Sequence, residues 1–127
     1  MAETGPAAFS RGVDQFNRAQ FFHAHETWEM LWMEASGPDK IFLQGIIQIA
    51  AAFHHWSRGN VAGARALLDA GLAKLARSPE SYRGIRVDRL RQQSRSWREA
   101  LDGSEPPAWL ALPQIERDSR PAGGVGR

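Results

Sequence analysis

The chain has 127 residues, 43% of them hydrophobic and 24% charged, with a formal net charge of +2, which suits one globular domain. That charge is too small to call for nucleic acid or a membrane surface as partner, although the sequence pI is about 9.7. There is no cysteine, which excludes disulfides, thiolate metal sites and cysteine nucleophiles.

The first ten residues lack a basic segment followed by an apolar core, so no signal peptide is expected. Pro6 suits a first helical turn, and Phe9, Val13 and Phe16 form a stripe, which predicts a helix from near Pro6 to Arg18. Asn17 to Gln20 is a break. A second helix is expected over about Phe21 to Ala35. At about 100° per residue its Phe22, His25, Glu29 and Trp32 share an arc of roughly 80°, flanked by Phe21 and Trp28, while His23, Thr27 and Glu34 fall on the solvent side. Ser36-Gly37-Pro38-Asp39 reads as a turn, with Asp39 capping the next helix.

Ile41 to Ser57 contains no Lys, Arg, Asp or Glu. It predicts a central buried helix, about 40–58, with Gln44, Gln48, Ala51 and His55 along one face and His54 pointing elsewhere. It is slightly short for a membrane span and carries four polar side chains. Gly45 and Ala50 to Ala52 allow close neighbours. Gly59-Asn60 closes this helix and starts a fourth, Val61 to about Arg77, which buries Ala64, Leu67, Leu68, Gly71, Leu72 and Leu75. Ser78-Pro79 ends it, and Glu80 to Arg86 reads as a loop. A fifth helix runs from near Asp88 to before Gly103, with Leu90, Ser94, Trp97 and Leu101 on one stripe and Arg91, Arg95 and Arg98 on the next. No strand-period segment of useful length appears. The expected organisation is an all-α single domain of about five helices over 1–103, then a Pro/Gly-rich tail over 104–127. Trp109, Leu110, Leu112 and Ile115 would dock as a strap, and Arg117 to Arg127 would be disordered.

The short turn makes helices two and three antiparallel. That register brings Gln44 and Gln48 beside His25 and Glu29, with His55 lying beyond them. An ionised Glu29 on an aromatic face needs a partner; His25, one turn away, can supply it, and the glutamine amides can bond to both. Three readings stay open: a structural network, a small-molecule or catalytic pocket, and a metal site. In the catalytic case Glu29 is the acid or base, His25 its partner, and Glu26, Trp32, Gln44, Gln48 and His55 line the pocket. Metal is disfavoured, since amides are poor transition-metal ligands and no Glu-x-x-His pair recurs. No metal or other cofactor is expected.

At these residues the chain resembles a known family. Phe16-Asn17, Phe22, His25-Glu26-x-x-Glu29-x-x-Trp32, Gln44-Gly45-x-x-Gln48-x-Ala50, His55 and Gly59-Asn60-x-x-Gly63-Ala64 resemble the family catalogued as domain of unknown function 309, over roughly Phe9 to Leu101. The resemblance implies a small helical domain and no particular activity. Arg18-Ala19-Gln20 stands where that pattern calls for a glycine-containing turn. The functional expectation is a cytoplasmic protein with a His/Glu/Gln pocket for a small molecule. The alternative is a non-catalytic interaction module using the arginines of the fifth helix, with the cluster purely structural.

Overall fold

A computed structural model describes residues 3–103 and 105–118. Helix α1 (Gly5–Asn17) starts where the Thr4 hydroxyl accepts the Ala7 N–H at 3.1 Å and Pro6 occupies the first turn. It ends in a Schellman motif: Gln20 N–H bonds to Gln15 C=O at 2.8 Å and Ala19 N–H to Phe16 C=O at 2.9 Å. That closure forces φ +62° on Ala19. The chain repeats the motif at the end of α3, where Asn60 N–H reaches His55 C=O and Gly59, at φ +83°, takes the left-handed position. Alanine pays roughly 1–2 kcal/mol there, against about 0.5–1 kcal/mol for the greater freedom of glycine in the unfolded chain. Ala19→Gly is therefore expected to stabilise the fold by about 0.5–1 kcal/mol. Urea denaturation at equilibrium would check this, and a lower midpoint would contradict it.

Helix α2 (Phe21–Glu34) follows at once, and α3 (Gly37–Ser57) starts three residues before the expected position, about 40. The presumed turn is this early start: Gly37 sits at φ +61° and Pro38 lies in the first turn, where its missing N–H costs nothing. Asp39 is consequently not the cap, a place taken by Ser36. Its carboxylate accepts a fork from Arg83 at 2.9 and 3.1 Å and the Tyr82 hydroxyl at 3.3 Å. Helix α4 (Val61–Leu75) is capped by Asn60, whose Oδ1 accepts Gly63 N–H at 2.9 Å.

Helix α3 is the core: Phe42, Leu43, Ile46, Ile49, Ala50 and Phe53 are buried on it. Helices α1 and α2 cover one side and α4 the other, with Gly45 and Gly71 at the α3–α4 approach. The expected 80–86 loop carries a ribbon, β1 (Ser81–Tyr82) antiparallel to β2 (Ile85–Arg86), closed by Arg83 and Gly84 at φ +50° and +75°. Two left-handed residues make the hairpin turn whose twist matches its strands. Strands of two residues are too short to show alternation in a sequence.

Helix α5 (Val87–Ala100) buries Leu90, Ser94 and Trp97 as expected, with Leu101 just past its end. Residues 109–118 then pack back across the domain. Two amide side chains fix them: Asn17 donates to Ile115 C=O and accepts Ile115 N–H, at 3.0 and 2.7 Å, and Gln93 does the same for Gln114 at 2.9 Å each. Ile115 is buried, Leu110 and Leu112 partly so, but Trp109 is 80% exposed and does not dock. Order extends past the point expected: Arg117 pairs with Asp14 and Ser10, and Asp118 N–H reaches Gly84 C=O at 2.7 Å. Residues 119–127 of the presumed disordered segment lie outside the described residues.

Candidate functional site

Two aromatic pairs on α2 compete for the core, Phe21 with Trp28 and Phe22 with Trp32. The first pair wins. Gly12 leaves a slot on α1 for the Trp28 indole, which is fully buried and donates to Phe9 C=O at 3.2 Å. The buried stripe of α2 is thus Phe21, Ala24, Thr27 and Trp28. Thr27, expected in solvent, is 5% exposed; its hydroxyl donates to Gln15 Oε1 at 2.7 Å and accepts from Arg11 at 3.0 Å. Of the row expected to be buried, Phe22 and Glu29 are exposed, while His25 and Trp32 stay half-buried.

The consequences for the candidate residues are specific. His25 Nε2 lies 3.6 Å from Glu29 Oε2, and the Glu29 side chain is 52% exposed. Phe22 stacks on His25 with centroids 5.9 Å apart and meets His54 at 5.1 Å. His55, 6.0 Å from His54, holds Asn60 Nδ2 through Nδ1 at 3.1 Å. Phe22, His25, Ala51, His54 and His55 line a cleft of about 110 Å³. His54 therefore does not point elsewhere: two imidazoles about 100° apart on a helix converge on the space beside Phe22.

Gln44 and Gln48 are partly buried, but among the described residues no hydrogen bond joins either to His25 or Glu29. The expected network is not formed, because α2 is rotated away. His25 Nδ1 and Gln48 Oε1 are buried without a partner among the described residues. Trp32 leaves the group and lies under Lys40, whose Nζ is 4.4 Å from the ring centroid. Glu26 and Glu29 line a shallow depression with Arg11, His23 and Met30. No three His, Asp or Glu among the described residues are placed to hold a metal ion. A further hollow, of about 380 Å³, was not legible in the sequence: it lies over Phe9, Val13 and Ile85 between Arg83 and Arg117. Those arginines answer Asp39 and Asp14, so its charge is balanced.

Burial, with Arg58, His55 and His25 nearby, pushes the His54 pKa down. A depressed folded pKa means that the unfolded chain binds the proton more readily. The stability from neutral His54 is whole above about pH 6.5, the unfolded value, and is lost as pH falls towards the folded one. His54→Gln is expected to flatten the decline in urea midpoint between about pH 7.5 and 5.5; an unchanged slope would contradict it.

These residues fall within a recognised stretch. Residues 9–67 match the family model of DUF309, a domain of unknown function. The DUF309 match takes in α1 from Phe9 on, α2, α3 and the first part of α4, and stops before the ribbon and α5, short of the Leu101 expected from the motifs. Within it lie Asn17, His25, Glu29, Gln44, Gln48, His55 and Asn60. An uncharacterized protein of Aquifex aeolicus (strain VF5) is 29% identical over 77 residues, which are 60% of this chain and 23% of that protein. The matched stretch is thus less than a quarter of the length of this relative.

Proposed function

We propose that the chain is a non-catalytic binding module whose working surface is the outward face of α2, continued by His54 and His55 at the end of α3. One observation carries this reading. Phe22, Met30 and Met33 are 46%, 71% and 69% exposed, and with Glu26 they occupy one arc of about 80° on a single helix. Large apolar side chains grouped on one exposed face mark interaction sites, and methionine adapts to varied partners. Helix α2 carries Glu26, Glu29 and Glu34 and no Lys or Arg, in a chain of net charge +2. Its partner is therefore a polypeptide surface combining apolar and basic groups. That sign disfavours nucleic acid. No described helix is long and apolar enough to cross a membrane, and a cytoplasmic setting accompanies this proposal.

The alternative using the α5 arginines is weaker for two of the three. Arg91 donates to Leu75 C=O and Ser78 C=O at the end of α4, and Arg98 holds Asp69 and Asp102. A photocrosslinking residue placed at Met30, and in a separate protein at Ala66 on the exposed side of α4, tests the module reading in cells. Adducts from position 30 and not from 66 are expected; equal yields, or none, would overturn it.

The second reading, Glu29 as acid or base with His25 as partner and Gln44 and Gln48 orienting a substrate, draws on the unpartnered His25 Nδ1 and Gln48 Oε1. Against it, Glu29 does not line the cleft that His25 lines: its side chain is half-exposed and lies instead in the depression with Arg11, His23 and Glu26. Surface ion pairs contribute about 0–1 kcal/mol, so Glu29→Gln is expected to shift stability by less than about 0.5 kcal/mol. A large loss in thermal unfolding would instead mark Glu29 as structural.

A further inference from the structure

Three residues of the recognised motif meet at the turn from α3 to α4. The backbone of Asn60 closes the end of α3, its N–H donating to His55 C=O at 2.9 Å. Its side chain works in two directions: Oδ1 accepts Gly63 N–H at 2.9 Å, and Nδ2 lies 3.1 Å from His55 Nδ1. Gly63 supplies the space, since a Cβ there would stand 2.5 Å from Asn60 Nδ2. The amide orientation fixes the state of the ring. Gly63 N–H can only donate, so the amide oxygen faces it and the amide nitrogen faces the imidazole. That nitrogen also can only donate, so Nδ1 is the bare ring nitrogen and the proton of neutral His55 sits on Nε2.

We propose that His55, Asn60 and Gly63 form a proton-sensitive latch: neutral His55 leaves α4 capped, and protonated His55 draws the Asn60 oxygen away and frays the first turn. Protonation sets an N–H on Nδ1 against the N–H of the amide. The amide can answer only by turning its oxygen to the ring, and Gly63 N–H then loses its cap. The first turn of α4 carries no acidic residue to take over. The other titratable or charged groups at the cluster are His54 and Arg58 on α3 and at its end, and His25 on α2. Glu29, 3.6 Å from His25, does not line the cleft that the three imidazoles share. The α3 dipole favours a cation at this junction and the α4 dipole opposes it, so the hydrogen bonds decide. Asn60 is exposed and His55 half-buried, so protons reach the pair without any opening of the fold. The latch goes beyond the binding-module reading and does not depend on it.

Nitrogen NMR spectra of the full chain test the latch. At about pH 7.5 the His55 ring is expected to show a bare Nδ1 and a protonated Nε2; the opposite tautomer overturns the proposal. Between about pH 7.5 and 5.5, where histidines ordinarily titrate, the Gly63 amide signal is expected to move in step with the ring. A Gly63 signal that ignores the ring overturns the proposal. Asn60→Asp separates a lost cap from a nearby charge. One carboxylate oxygen keeps Gly63 N–H while the other accepts from the imidazolium, so the ring titrates and the Gly63 amide keeps its hydrogen-bonded shift. If that amide moves as far as in the wild type, it feels only the charge and the latch is refuted. In His54→Gln the wild-type response is expected to persist; its disappearance would assign the response to His54 and overturn the role of His55.

Discussion

Gly12→Ala is expected to destabilise the fold by about 3 kcal/mol. A Cβ on Gly12 would stand 2.6 Å from Cδ1 and Cε2 of Trp28, with Nε1 nearer still. The indole cannot retreat. It is fully buried, with the Phe9 and Phe16 rings 6.1 and 6.0 Å away, and its N–H is committed to Phe9 C=O. Helix α1 must lift from α2, which costs about 1–3 kcal/mol as overpacking, and the displaced indole leaves its donor unpaired, at about 1–3 kcal/mol more. Alanine in a helix returns about 1 kcal/mol. Gly5→Ala, where the added carbon meets nothing within 4 Å, is the control, expected within about 0.5 kcal/mol of wild type. Equilibrium denaturation followed by tryptophan emission would measure both. A loss under about 1 kcal/mol for Gly12→Ala would refute the slot.

Gly12 also marks what the sequence could not disclose. Periodicity located the helices, because burying one face of a helix leaves a spacing in the chain. The ends of α3 and α4 were legible for a similar reason: Gly59 and Asn60 are the residue types that a left-handed closure and an N-terminal cap need. Rotation of α2 about its axis was another matter. Phe22, His25, Glu29 and Trp32 share an arc as surely as Phe21, Ala24 and Trp28 do. What chose between them was a missing side chain on α1, distant in sequence. An apolar arc drawn on one helix says nothing of the slot that receives it.

The candidate site suffered most from that rotation. Helices α2 and α3 run antiparallel, and His25 and His55 line one cleft, while Glu29 lies in the depression with Arg11 and Glu26. The hydrogen-bonded network did not follow, because it needed the faces to meet as well as the register. The angle of about 100° between His54 and His55 separates them on a helical wheel, yet an imidazole is long enough to bend towards a gap one position round the helix. Asn17 belonged to the recognised motif without an evident task. Its amide turns out to substitute for a strand edge, bonding to both backbone groups of Ile115. Such a role depends on a segment 98 positions away, and no local pattern encodes it.

The α3–α4 crossing offers a sharper comparison, since two glycines there face different atoms. On Gly71 a Cβ would lie 2.9 Å from the Gly45 carbonyl oxygen and 2.8 Å from Ile49 Cδ1. A backbone carbonyl within a helix cannot rotate aside, so the helices themselves must part. That loosens Ala64, Leu68 and Leu75, all buried against α3 and its neighbours. On Gly45 the nearest atom is Leu75 Cδ2, also at 2.9 Å, but it is the far end of a flexible side chain. Both substitutions gain about 1 kcal/mol of helix propensity. Gly71→Ala, charged with up to about 3 kcal/mol of overpacking, is expected to lose about 2 kcal/mol net; Gly45→Ala, relieved by a rotamer change of about 0.5–1.5 kcal/mol, is expected to lose less than about 1. The two glycines occupy the same crossing, so equal losses in a denaturation series would show that the carbonyl contact does not set the helix spacing. If Gly71→Ala proves the milder change, α4 sits farther from α3 than the Gly45–Gly71 approach requires.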